Sequence, residues 1–127
     1  MSEKVFTYNI VIFNMLVRRK PLTLKDFQKT ILEAIEEGLE TLGESPKQAI
    51  LFHVENTFKL QKEEIPQNLT EFKKALETIF GPGAPYLEKL ILEKLCNKLN
   101  LKLEAENSDL LSNVENLKKR LLSSGDT

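Results

Sequence analysis

Between Thr23 and Leu99 the apolar residues recur at spacings of three and four, and nearly every run is closed or opened by glycine or proline. That period gathers them on one face of an α-helix and does not fit the strict alternation of a half-buried strand. The expected fold is therefore all-α, a compact multi-helix domain with four core helices and a further C-terminal helix. The chain has 127 residues, enough for one domain that buries a core of its own. Residues 21–100 read as that domain, residues 1–20 as an apolar N-terminal segment and 101–127 as a leucine-rich tail.

Thr23 is placed to cap the first helix, with Asp26 near its positive end. Phe27, Ile31, Leu32, Ile35, Leu39 and Leu42 form its stripe, Gly43 its terminal cap, and Glu33, Glu36, Glu37 and Glu40 an acidic, solvated outer face. Ser45 and Pro46 read as the start of a second helix carrying Ala49, Ile50, Phe52, Val54 and Phe58. Its apolar content predicts that it is the central, most buried helix. Lys59 to Gln67 reads as a connector from which Leu60 and Ile65 tuck into the core, with Pro66 preventing helix continuation from the preceding turn. Asn68 and Glu71 then read as a capping box for a third helix with Phe72, Leu76, Ile79 and Phe80 inward. Gly81, Pro82 and Gly83 turn the chain into a fourth helix from Pro85, with Leu87, Leu90, Ile91, Leu95, Cys96 and Leu99 apolar.

The two ends each admit two readings. Residues 5–17 place Phe6, Tyr8, Ile10 and Ile12 on one face at period two, or Phe6, Ile10, Phe13 and Val17 on one stripe at helical spacing. The run is too short to span a bilayer, and Arg18, Arg19 and Lys20 follow it, the reverse of a signal peptide. No membrane association is expected, and the cytoplasm is the expected compartment. In the tail, Leu103, Leu110 and Leu117 repeat every seven residues, with Val114 and Leu121 between them and Asn107 at the first such position. This is either a short coiled-coil seam or a last helix from Ser108 that packs on its own domain.

The inventory for chemistry is poor. There are 18 basic and 19 acidic residues, one His, one Cys and no Trp. A single Cys excludes an intramolecular disulfide and zinc sites built on paired cysteines. His53 and Cys96 both sit among apolar neighbours in helices and read as core residues. Glu36, Glu37, Glu40, Glu63 and Glu64 lack the Glu-x-x-His partner of a bundle metal site. No catalytic residue, metal or cofactor is expected.

The stretch from Leu42 to Leu99 resembles a small helical domain family of archaea, the Nitrosopumilus output domain, fifth class. The residues that carry the resemblance are the Gly43-Glu44-Ser45 turn, the run from Ala49 to Glu55, the Ile65-Pro66 connector and the turn from Phe80 to Ala84. The resemblance implies a non-enzymatic output or interaction module in archaeal signalling, joined in some chains to sensor or receiver domains. It implies no catalytic residue. This chain differs in adding the apolar N-terminal segment and the leucine-rich tail. Apolar stripes at both ends predict a homodimer through Phe6, Ile10, Phe13, Leu103, Leu110, Val114, Leu117 and Leu121. Phe80, Gly81, Pro82, Gly83 and Tyr86 form a candidate loop for a protein partner. The alternative is a helix-turn-helix DNA-binding regulator that uses the second helix (Lys47, Gln48, Asn56) or the fourth (Lys89, Lys94, Asn97, Lys98).

Overall fold

A computed structural model describes residues 23–101 and 109–122. Phe6, Ile10, Phe13 and Leu103 lie outside the described residues. The order is α1 (Leu24–Glu40), α2 (Glu44–Phe58), a 3-10 helix (Lys62–Gln67), α3 (Leu69–Phe80), a 3-10 turn (Gly81–Gly83), α4 (Ala84–Lys98) and α5 (Leu110–Leu122). Among the described residues there is no strand. The fold is all-α.

Helix α1 begins as its sequence dictates. The Thr23 hydroxyl accepts the Asp26 N–H at 3.0 Å, and Phe27, Ile31, Ile35 and Leu39 are buried along one stripe. Leu42, expected to extend that stripe, is 37% exposed because the helix has already ended at Glu40. Gly43 donates to the Glu40 carbonyl at 2.9 Å and takes a φ of 113°, which a side chain would oppose. The same residue caps α2, which therefore starts at Glu44, ahead of the Ser45-Pro46 start.

The most buried helix is α4, not α2. Ala84, Leu87, Glu88, Ile91, Leu92, Leu95 and Cys96 are all buried on α4, whereas α2 buries only Ile50 and Val54. The reason lies in spacing: Ile50, Val54 and Phe58 share one line at intervals of four, while Phe52 stands about 200° around the helix from Ile50. Total apolar content misplaced the centre because it ignored that direction.

The connector forms a short helix of its own, and the capping box expected at Asn68 and Glu71 does not form. Pro66 lies inside the 3-10 helix, whose capping box pairs Gln61 with Glu64. Asn68 makes no side-chain cap for α3; its amide donates to the Glu64 carbonyl at 2.9 Å. Leu60 and Ile65 are buried as expected. Helix α4 closes in a Schellman arrangement: Asn100 takes a left-handed φ of 59°, Leu101 N–H donates to the Cys96 carbonyl at 2.9 Å, and Asn100 N–H donates to that of Asn97 at 3.2 Å.

Helix α5 settles the choice left open for the tail in favour of packing on its own domain. Leu110, Val114 and Leu117 are buried in the same core as α1, α3 and α4, and Leu121 packs against it. The expected intermolecular seam is thus corrected at Leu110, Val114 and Leu117, whose apolar area is already removed from water within the chain, while Leu121 is half-buried against the same core.

Helices α1 and α4 approach closely at Gly38. A Cβ at Gly38 would stand 2.7 Å from Ile91 Cγ1 and 3.3 Å from Ile91 Cα. Glycine inside a helix costs about 1 kcal/mol relative to alanine, and here it lets two backbones meet. Gly38→Ala restores that propensity but overpacks the contact, at about 1–3 kcal/mol. The expected net result is a lower urea midpoint with an unchanged m-value; an equal or higher midpoint would refute this role for Gly38.

Candidate interaction surface

Helix α2 lies on the rim of the fold with its outer face in water. Phe52 is 68% exposed. Leaving a phenylalanine in water forgoes about 1.5–3 kcal/mol of burial. Beside it, Leu51 is half-buried, and Gln48, Glu55, Lys62 and Glu63 complete a shallow hollow of about 430 Å³. His53 is exposed on the same helix, contrary to its reading as a core residue. Its Nδ1 lies 3.2 Å from the Thr57 hydroxyl, and its ring meets that of Phe58 edge-on at 5.8 Å.

Cys96 is a free thiol buried in α4, and burial pushes it above the ordinary thiol range against the weaker opposing charge of Arg120. A thiol so placed is a poor nucleophile. The two most versatile side chains thus occupy different helices, one in water and one in the core. Among the described residues no group of three or more His, Cys, Asp or Glu is arranged to hold a metal ion.

The acidic face of α1 is not simply solvated. Lys47 of α2 reaches Glu40 at 2.9 Å, Lys62 of the 3-10 helix reaches Glu36 at 2.8 Å, and Lys98 of α4 reaches Glu37 at 2.5 Å and Glu33 at 3.8 Å. All three lysines are held above the ordinary lysine value, first by the hydrogen bond to their glutamate. Such exposed pairs contribute about 0–1 kcal/mol each, so they orient elements more than they hold them. They also occupy Lys47 and Lys98, two of the cations that a DNA-reading helix would present.

The expected partner loop is partly available. Gly81, Pro82 and Gly83 are exposed and Tyr86 is 68% exposed, but Phe80 packs against the core. Gly81 takes a φ of 56° at the end of α3.

A polar cluster that sequence reading missed joins three helices. Glu88 of α4 is 1% exposed. Its Oε2 receives Lys73 Nζ of α3 at 3.4 Å, and its Oε1 accepts the Leu110 N–H at the start of α5, also at 3.4 Å. Lys73 also meets Glu77 at 2.9 Å and Asp109 at 3.7 Å. Asp109 caps α5, accepting the Ser112 hydroxyl at 2.7 Å and the Ser112 N–H at 3.1 Å. A buried carboxylate is tolerated here because it is paired and faces the positive end of a helix. On sequence, Glu88 is one more acid in an acid- and lysine-rich helix; only its place between Leu87 and Leu95 on the inner stripe hints at burial.

A further depression is a groove of about 710 Å³ bounded by α1, the 3-10 helix, the first turn of α3 and α5. Leu24, Pro66, Leu69 and Leu111 give it apolar walls that remain partly in water. No helix among the described residues is long and apolar enough to cross a membrane. Comparison with family models, curated proteins and solved structures finds no match.

Two outcomes test the polar cluster. Lys73→Met leaves the buried Glu88 charge without its cation, for which a loss of about 3 kcal/mol is expected, with Glu88→Gln milder because it keeps an acceptor for Leu110. Urea unfolding of both variants checks the order. Asp109 is held below its ordinary value of 3.8, first by the Ser112 hydroxyl. A depressed carboxylate stabilises the folded state fully above that ordinary value, and the contribution is lost as pH falls through the lower folded value. Hydrogen exchange of α5 is expected to quicken in that acid window, and Asp109→Ala to remove this part of the pH dependence.

Proposed function

We propose that the chain is a non-enzymatic protein-interaction module of the signalling-output kind, acting in pairs, and that two copies meet through the outer face of α2. The observation that carries this reading is Phe52, an aromatic ring 68% exposed at the middle of a helix that buries only two of its fifteen residues. Large exposed aromatics of this kind are characteristic anchors of protein interfaces. The net charge of −1 opposes self-association little. The hollow beside Phe52 is walled by the acids Glu55 and Glu63 and by Lys62, whose ammonium is already paired with Glu36, so the apolar ring and not a charge pair is the anchor. The resemblance to archaeal output domains points the same way, and a cytoplasmic setting fits the free thiol of Cys96.

A helix-turn-helix regulator is the competing reading. It would present α2, where Lys47 is tied to Glu40 and where Glu44 and Glu55 add negative charge, or α4, where Lys98 is tied to Glu37 and Glu93 adds negative charge. Those acids are unfavourable beside phosphates.

Sedimentation velocity at micromolar concentrations distinguishes the outcomes. The expected result is a dimer that Phe52→Asp converts to monomer without loss of helicity. A wild-type monomer, or a dimer indifferent to Phe52→Asp, would overturn the reading.

A further inference from the structure

We propose that the groove between α1 and α5 is a docking site for the chain's own apolar segment, residues 5–17, held in cis. This does not depend on the reading of α2. The groove is about 710 Å³, within the range of about 300–1,000 Å³ that takes up substantial ligands. Its rim is mixed, with Gln28, Gln67, Thr70, Glu115, Asn116 and Lys118 standing among apolar walls. Leu24 is 46% exposed, and Leu69 and Leu111 keep part of their area in water although the core lies directly beneath them. Phe27, Ile31 and Val114 continue from that core to the groove floor. The depression thus has a floor continuous with the core beneath a rim of mixed polarity, which suits an amphipathic segment that carries Thr7, Asn9 and Asn14 among its apolar residues.

Chain connection selects the occupant. Residues 5–17 carry Val5, Phe6, Ile10, Ile12, Phe13 and Val17 among others, an apolar run without a charged residue. They lead to Thr23, the cap of α1, and the next residue, Leu24, is itself a wall of the groove. From Val17 to Thr23 is six residue steps, at most about 20 Å of chain. Along α1 the groove runs from Leu24 to Ile31, seven residues or about 10 Å. The run therefore reaches the whole length of the groove from its own attachment point. A short tether also gives a local concentration of about 1 mM, far above that of a free partner at micromolar levels. Burying even two of these apolar side chains removes area from water on both sides of the contact.

Hydrogen exchange of the full chain, followed by mass spectrometry on peptides covering residues 5–17, tests the assignment. With an effective concentration of about 1 mM, a groove affinity of ~0.1 mM gives a docked-to-free ratio of about ten, hence about tenfold faster exchange on release. The expected result is that acceleration in Leu24→Asp and in Leu111→Asp, with the buried turns of α1 around Ile35 and Leu39 still protected. Lys89→Asp, an exposed site outside the groove, is expected to leave residues 5–17 unchanged. Leu24→Asp is the deciding variant, because Leu24 is already half in water and its replacement leaves the core intact. Equal exchange in Leu24→Asp and wild type overturns the proposal. So does protection that grows with protein concentration between about 1 and 100 μM, which would assign the groove to the segment of a second copy.

Discussion

The domain depends on how closely α1 and α4 approach at Gly38 and Ile91. Helices usually pack with axes 8–10 Å apart, kept there by side chains. Here one side chain is missing, and the Ile91 backbone lies within 3.4 Å of where a Cβ would stand. That contact brings Ile35 and Leu39 of α1 onto the same core as Leu92 and Leu95 of α4. It also explains the distribution of burial. With α4 pressed against α1 and packed by α3 and α5, α2 is left on the rim with only Ile50 and Val54 buried.

Glu88 adds specificity to that packing. An apolar residue at this place would bury more area, and buried ion pairs are often neutral or worse for stability. What a carboxylate supplies is direction. It accepts the first N–H of α5 and receives Lys73 from α3, so α5 can seat in one register along a surface that leucines alone would define loosely. Asp109 and its bonds to Ser112 complete the end of the helix that Glu88 faces.

Much of this was legible in the sequence, and what was not has identifiable causes. The Thr23 cap, the stripe of α1, the buried Leu60 and Ile65, and the turn at Gly81 follow from local rules, because each needs only neighbours within four residues. The centre of the fold did not follow, since burial of α4 depends on Gly38, a residue some fifty positions away whose value is what it lacks. The exposed Phe52 and His53 could have been found by tracing the direction of each side chain around α2 instead of counting apolar residues. The heptad in the tail was ambiguous for a physical reason: a seam facing a partner and a stripe facing its own core have the same spacing. Glu88 was hidden because a buried glutamate and a solvated one look alike until their partners are known.

The groove at Leu24 is bordered by the beginning of the first described helix and by α5, the last. Leu24, at the start of α1, and Leu111, at the start of α5, therefore stand on one groove although 87 positions separate them. A load on the chain at Thr23 is thus delivered beside the last helix, so the first turn of the domain answers to the seating of the helix that is made last.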